Sequence, residues 1–164
     1  MLNELSINSE KLNQLQKKIL YIDMDNVLVD FQSGINQLDL PTKIKYMGRY
    51  DEVPGIFAKM LPLKDAIESF NELSEHFDTY ILSTSPWENH TAPSDKLKWV
   101  KTHLGNKVRK RLILTHRKDL NIGDFLVDDR TKNGAGEFKG EFIQFGTARF
   151  PDWTAVKKYL MEKK

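Results

Sequence analysis

The sequence contains no cysteine. That absence excludes disulfide staples and thiolate-bound zinc, and it is compatible with a reducing compartment. No apolar run approaches the roughly 20 residues that a membrane-crossing helix needs, and the polar stretch from Met1 to Lys18 lacks the apolar core of a secretory signal. There is no excess charge of either sign: 25 Lys and Arg stand against 23 Asp and Glu. A net charge of +2 does not suggest a polyanion-binding or membrane-binding coat, so any preference for anions has to be local. The basic cluster from Lys107 to Lys118 reads as a solvated face. Internal repeats and low-complexity tracts are also missing, and the four histidines, His76, His90, His103 and His116, form no metal-ligand spacing. The chain therefore reads as one soluble, cytoplasmic domain of 164 residues with room for a proper core.

What is present centres on Ile19-Leu20-Tyr21-Ile22-Asp23-Met24-Asp25, an apolar run that ends in two carboxylates one residue apart. The run reads as a buried parallel strand. In extended chain, residues i and i+2 share a side, so Asp23 and Asp25 face one crevice. Two carboxylates at about 4 Å repel by roughly 4 kcal/mol at an effective dielectric near 20. A proton or a cation must relieve them.

Four further strands are expected, at Thr79–Ser83, Arg111–Thr115, Phe125–Asp129 and, more weakly, Phe142–Phe145. Helical patterns lie between them, at residues 29–40, 64–76 and 93–103, with a last helix opened by Asp152. Residues 1–18 carry a loose helical pattern, and residues 41–62 are irregular. Strands alternating with helices predict an α/β fold, a three-layer Rossmann-like parallel sheet of about five strands. Open parallel sheets bind ligands beyond the carboxyl ends of their strands. Those ends carry Asp23 and Asp25, then Thr84 and Ser85, then Lys118, then Asp128 and Asp129. Asp124, just before a strand, reads as a structural residue.

Phosphoryl transfer suits this set. Lys118, Thr84 and Ser85 supply the cation and donors that a phosphoryl group needs. Carboxylates without His or Cys beside them are hard oxygen ligands suited to Mg²⁺. Asp23 is placed to attack phosphorus, giving an aspartyl-phosphate that water hydrolyses. Asp25 is placed to protonate the leaving alkoxide and then to deprotonate that water.

In order, these motifs resemble those of the haloacid dehalogenase (HAD) superfamily of phosphatases: Asp23-Met24-Asp25-Asn26-Val27, the hydroxyls Thr84 and Ser85, Lys118, and Asp128-Asp129. More narrowly, the chain resembles the 5'(3')-deoxyribonucleotidases. The likeness rests on Asp23-Met24-Asp25-x-Val27-Leu28-x-Asp30-Phe31, Thr84-Ser85-Pro86, Trp99-Val100 leading to His103-Leu104-Gly105, Ile113-Leu114-Thr115 with Lys118, and Gly123-Asp124 before Asp128-Asp129. The resemblance implies a single HAD-like phosphatase domain over residues 1–164, with a small cap insert at about 31–62. It implies Asp23 as nucleophile, Asp25 as acid/base, and phosphate held by Thr84, Ser85 and Lys118. It also implies Mg²⁺ on Asp23, the Asp25 carbonyl, Asp128 and Asp129. The substrate implied is a deoxyribonucleoside monophosphate.

Two departures stand out. Asn26 occupies a position where that family often has Gly, and the segment from Phe31 to Pro62 is much shorter than the cap of the animal enzymes. Phe31 maps onto an aromatic that contacts the nucleobase, and Phe57 and Trp87 are further substrate candidates by position. Two other readings stay open on the residues alone: a phosphatase for a sugar phosphate or another small phosphomonoester, and a non-catalytic phosphate or nucleic-acid binding module.

Overall fold

The computed structural model describes residues 17–164, and most of the expected pattern at residues 1–18 lies outside them. The central strand is β1 (Ile19–Ile22), and its last three residues are buried. Four more strands flank it: β4 (Asp78–Ser83) on one side of β1 and β6 (Phe125–Asp128) on the other, with β5 (Leu112–Leu114) and β7 (Glu141–Gln144) at the edges. The order is β5-β4-β1-β6-β7, and every neighbouring pair is parallel. The sheet is the five-stranded α/β sheet that the apolar runs predict.

Side-chain alternation divides the core. Leu20 and Ile22 face the larger cluster, while Tyr21 faces a smaller one with Leu82, Leu126 and Phe138. The larger cluster holds helices α3 (Ala66–His76), α4 (Ala92–Leu104) and α5 (Trp153–Met161), with Phe70, Trp99 and Trp153 buried among the strands. The other face is covered more thinly, by 3-10 turns at Lys118–Leu120 and Ala135–Glu137 with Phe138. Close approach there demands glycine: a Cβ on Gly140 would lie 2.4 Å from the Gly123 carbonyl oxygen and 2.5 Å from that of Asp124.

Between β1 and α3 the chain makes an excursion. A two-residue ribbon, β2 (Val29–Asp30) against β3 (Leu61–Pro62), pairs antiparallel and closes its base. Inside it lie α1 (Phe31–Asn36) and α2 (Leu40–Lys45), in place of the single helix expected over 29–40. Asp30 and Asp39 explain the split, because each accepts a hydrogen bond from the amide three residues on, Ser33 at 3.2 Å and Thr42 at 2.7 Å. Each is an N-cap. Pro41 then sits in the first turn of α2, where its missing N–H costs nothing. The excursion ends in a 3-10 turn at Ile56–Lys59 that packs on α4, and Trp99 Nε1 donates to the Met60 carbonyl at 2.8 Å.

Candidate active site

The parallel register brings the strand ends to one level. Ile22 is paired with Ile81 and with Val127, so Asp23, Ser83 to Ser85 and Asp128 emerge together. The Asp23 amide extends the ladder by donating to the Val127 carbonyl at 2.9 Å. The chain then turns sharply, with the Met24 carbonyl accepting from Leu28 at 2.8 Å and Val29 at 2.9 Å. Asn26 turns it with φ +57°, in the left-handed region that Gly tolerates freely and Asn better than most residues. From the far end of the chain, Trp153 Nε1 donates to the Val27 carbonyl at 2.7 Å and anchors this loop.

Asp23 is buried, with Oδ1 2.9 Å from Lys118 Nζ. Lys118 is buried as well and pairs also with Asp128. Burial alone would push its ammonium down, yet the charges of Asp23 and Asp128 outweigh that and its pKa is raised. Asp128 is pushed up to about 7, by burial first and then by the charge of Asp23, against the pull of Lys118. Burial likewise raises Asp129, with Asp23 adding to it and Arg130 opposing. One lysine does not neutralise this group of acids.

Oxygens of Asp23, Asp128 and Asp129 lie within 4.8 Å of one another. Asp129 Oδ1 is buried and accepts no hydrogen bond, and Arg130 Nε stands 3.6 Å away. An orphaned buried carboxylate oxygen beside two more carboxylates fits a small hard cation, which binds oxygen at about 2.1 Å and so spans opposite ligands about 4 Å apart. The Asp25 carboxylate stands outside this group. Only its backbone carbonyl is left for a metal-ligand role.

Asp25 faces a different partner. Lys96, wholly buried on α4, places Nζ 2.9 Å from both Asp25 carboxylate oxygens and 2.9 Å from Ser83 Oγ. It also lies over the ring of Phe57, 4.4 Å from its centroid. Burial raises the Asp25 pKa; Lys96 pulls it down and Asp23 pushes it up, and the net direction is upward. Lys96 does not stand out in the sequence because it sits beside Leu97, in a helix whose apolar stripe reads Leu97, Val100, Leu104.

Thr84 and Lys118 do meet Asp23 and Asp25 at one small hollow, which Asp128, Arg130, Lys132 and Asn133 complete. Thr84 Oγ1 donates its one proton to the Thr115 carbonyl at 2.9 Å, so in this rotamer the hydroxyl expected as a phosphate donor has no proton left to give. Above it opens a cleft of about 570 Å³, lined by Phe31, Tyr50, Asp51, Ser85, Trp87 and His116 among others. Phe31 and Trp87 are therefore at the cleft, and Trp87 is 85% exposed. Phe57 is not: it is 1% exposed, packed against Phe31 from behind and under Lys96, so it is a core residue and no substrate contact. His116 shares a hydrogen bond of 2.8 Å with the Ser85 carbonyl and meets Trp87 edge-on. Asn133 has φ +55°, and its backbone carbonyl accepts from the Lys118 amide at 2.8 Å. Asp124 is structural, accepting from the Ile19 amide at 2.7 Å. A larger apolar groove of about 1020 Å³, between α4 and the edge strand β5, holds none of the strand-end residues.

Residues 33–150 match the family model of the 5' nucleotidase, deoxy (pyrimidine), cytosolic type C protein. A protein of Vibrio phage KVP40, provisionally named 5'(3')-deoxyribonucleotidase, is 59% identical over 150 residues, covering 92% of this chain and 88% of that one. The chain belongs to this nucleotidase family. The human cytosolic 5'(3')-deoxyribonucleotidase is 28% identical over 138 residues, which cover 66% of this chain and 69% of that protein. A haloacid dehalogenase-like hydrolase of Streptococcus pneumoniae shares the fold, with a TM-score of 0.54, 13% identity, and coverage of 87% and 90% of the two chains.

Proposed function

We propose that the protein is a Mg²⁺-dependent phosphomonoesterase that hydrolyses deoxyribonucleoside monophosphates. The observation that carries the reading is the juxtaposition of Asp23 and Asp25 with two different cations: Lys118 on Asp23 and Lys96 on Asp25. Two acids one residue apart thereby live in different surroundings, which is how a nucleophile and a proton donor are told apart.

In this mechanism a carboxylate oxygen of Asp23 attacks phosphorus and the ester P–O bond breaks. Lys118, held on Asp23, meets the incoming phosphoryl oxygens, and the Thr84 and Ser85 end of β4 supplies further contacts. The leaving alkoxide takes its proton from Asp25, whose raised pKa suits it to carry one. Water then attacks the aspartyl-phosphate, Asp25 takes the water's proton, and phosphate leaves. Lys96 favours the ionised form of Asp25, against the burial that favours the protonated one, and fixes its direction. Asp23, Asp128 and Asp129, with the Asp25 carbonyl, would hold Mg²⁺, which supplies charge neutralisation for the incoming phosphate. Phe31, Tyr50 and Trp87 offer flat surfaces for a nucleoside, and the cleft has the volume of a small-molecule site.

The test is phosphate release from a panel of deoxyribonucleotides, ribonucleotides and sugar phosphates in Mg²⁺, with Asp23→Asn beside the natural protein. Deoxyribonucleotides as the preferred substrates, and a variant that folds and is inactive, are the expected results. A clear preference for sugar phosphates refutes the nucleotidase reading, and equal rates for the variant remove Asp23 as nucleophile.

A further inference from the structure

The rim of the cleft is fastened by a side chain that does not reach it. Tyr50 and Asp51, on the excursion between β1 and α3, line part of its wall, and Thr84 to Trp87, after β4, line another part. Asn89 lies on the second segment and is 1% exposed. Its amide nitrogen donates to the Asp51 carbonyl at 2.8 Å and to the Val53 carbonyl at 2.9 Å. Its amide oxygen accepts from the Thr91 amide at 3.1 Å and from Thr91 Oγ1 at 2.9 Å. Thr91 Oγ1 in turn accepts from the Gly55 amide at 2.8 Å. A primary amide has two N–H donors and two acceptor sites on oxygen. All four are used here, in the one orientation of the amide that both carbonyls and the Thr91 N–H permit.

We propose that Asn89, with Thr91, is a positioning residue that sets the width of the substrate cleft by clamping the Asp51–Gly55 wall to the Thr84–Trp87 wall. The inference rests on the cleft being the substrate site. Asn89 is tied to its own side of the cleft as well, since its backbone N–H donates to the Pro86 carbonyl at 3.2 Å. One short turn therefore carries the β4 hydroxyls, the exposed Trp87 and the fastening to the other wall. The wall is held by backbone carbonyls, so the clamp is indifferent to the side chains that meet substrate. Discrimination then depends on the size of the group that must fit between the walls, with little contribution from closure on binding. An aspartate at position 89 is unfit for the task, because it has no donors for two carbonyls. An alanine takes this partner from both carbonyls.

The experiment compares Asn89→Ala, Thr91→Val and Thr91→Ser with the natural protein on two substrates, a deoxyribonucleoside monophosphate and the small ester phenyl phosphate, alongside amide hydrogen exchange at Gly55. The expected result for Asn89→Ala is a KM for the nucleotide raised about tenfold, as loss of the paired carbonyls implies. Its kcat and its rate on phenyl phosphate stay within about twofold, and Gly55 exchanges faster. Thr91→Val weakens nucleotide binding in the same direction, and Thr91→Ser, which keeps the hydroxyl, restores it. Equal losses on both substrates, or unchanged Gly55 protection, overturn the proposal. If the natural protein does not prefer the nucleotide at all, the reading of the cleft fails, while the Gly55 exchange still reports on the clamp.

Discussion

Lys96 and Asp25, 71 positions apart in the chain, form an ion pair with Nζ 2.9 Å from each carboxylate oxygen, and the lysine has no exposed surface. A pair of that kind stabilises little relative to a well-packed apolar pair, but breaking it on one side is costly. Lys96→Met is expected to lower stability by about 3 kcal/mol, the low end for a broken buried pair, because a carboxylate that is 13% exposed loses its counterion. Urea unfolding measures it, through the midpoint at constant slope. Adding Asp25→Asn to Lys96→Met removes the stranded charge and is expected to recover part of the loss; a purely additive double variant would show that the lysine stem, and not the pair, carries the stability.

Mg²⁺ is expected to raise the melting temperature more at pH 8 than at pH 5. An unfolded aspartate titrates near 3.9, whereas Asp128 in the folded, metal-free protein titrates at about 7. Between those values the folded state holds the extra proton, so this group's contribution to stability falls as pH rises through that window. Below about 7 the proton competes with the cation for Asp128; above it the cation has the site to itself and stabilises by mass action. Thermal melts with and without millimolar Mg²⁺ at the two pH values check this. Equal shifts at both would remove Asp128 from the ligand set.

Two aromatic residues named from the sequence should separate cleanly. Trp87→Ala changes an 85% exposed residue, so stability is expected to move by no more than about 0.5 kcal/mol while KM for a nucleotide rises. Phe57→Ala empties a site that is 1% exposed and is expected to cost about 3–5 kcal/mol. Chemical denaturation beside steady-state kinetics distinguishes them.

Gly140→Ala is expected to destabilise by about 1–3 kcal/mol through overpacking, because the new methyl meets backbone oxygens at 2.4 Å and 2.5 Å that have no rotamer to yield. In a chain of this size that lowers the melting temperature by about 2–4 °C per kcal/mol. An unchanged melt would mean that the β6 to β7 connection shifts freely.

The sheet was legible because β1, β4 and β6 are largely buried apolar runs closed by polar residues, and they end at one level once they are parallel. The positions of Asp23, Asp25, Thr84, Lys118 and Asp128 follow from that alone. The division of labour among the cations does not, since Lys96 looks like any solvated lysine until α4 is packed against the loop after β1. Phe57 misled for a related reason: in a short irregular segment no periodicity tells an inward aromatic from one that faces a ligand. The two helices after Phe31 were hidden because Asp39 and Pro41 read equally well as a stop and as a new start. His116 and Asn133 reach the cleft through loop geometry that local pattern does not encode.

The hydrogen bond from Trp153 to Val27 spans 126 positions, and it has a consequence for the order in which the molecule is made. Synthesis releases the loop bearing Asp23 and Asp25 well before its anchoring indole, which follows Val27 by 126 positions. The parallel partner β6, with Asp128 at its end, also comes late. A growing chain on the ribosome therefore carries two acids with no gathered cluster and no fixed turn, and the non-local pairings that complete them form slowly. The candidate site is complete only when α5 has been translated, so a chain cut short before Trp153 keeps Asp23, Asp25, Asp128 and Asp129 and still lacks the fastening of the loop after β1.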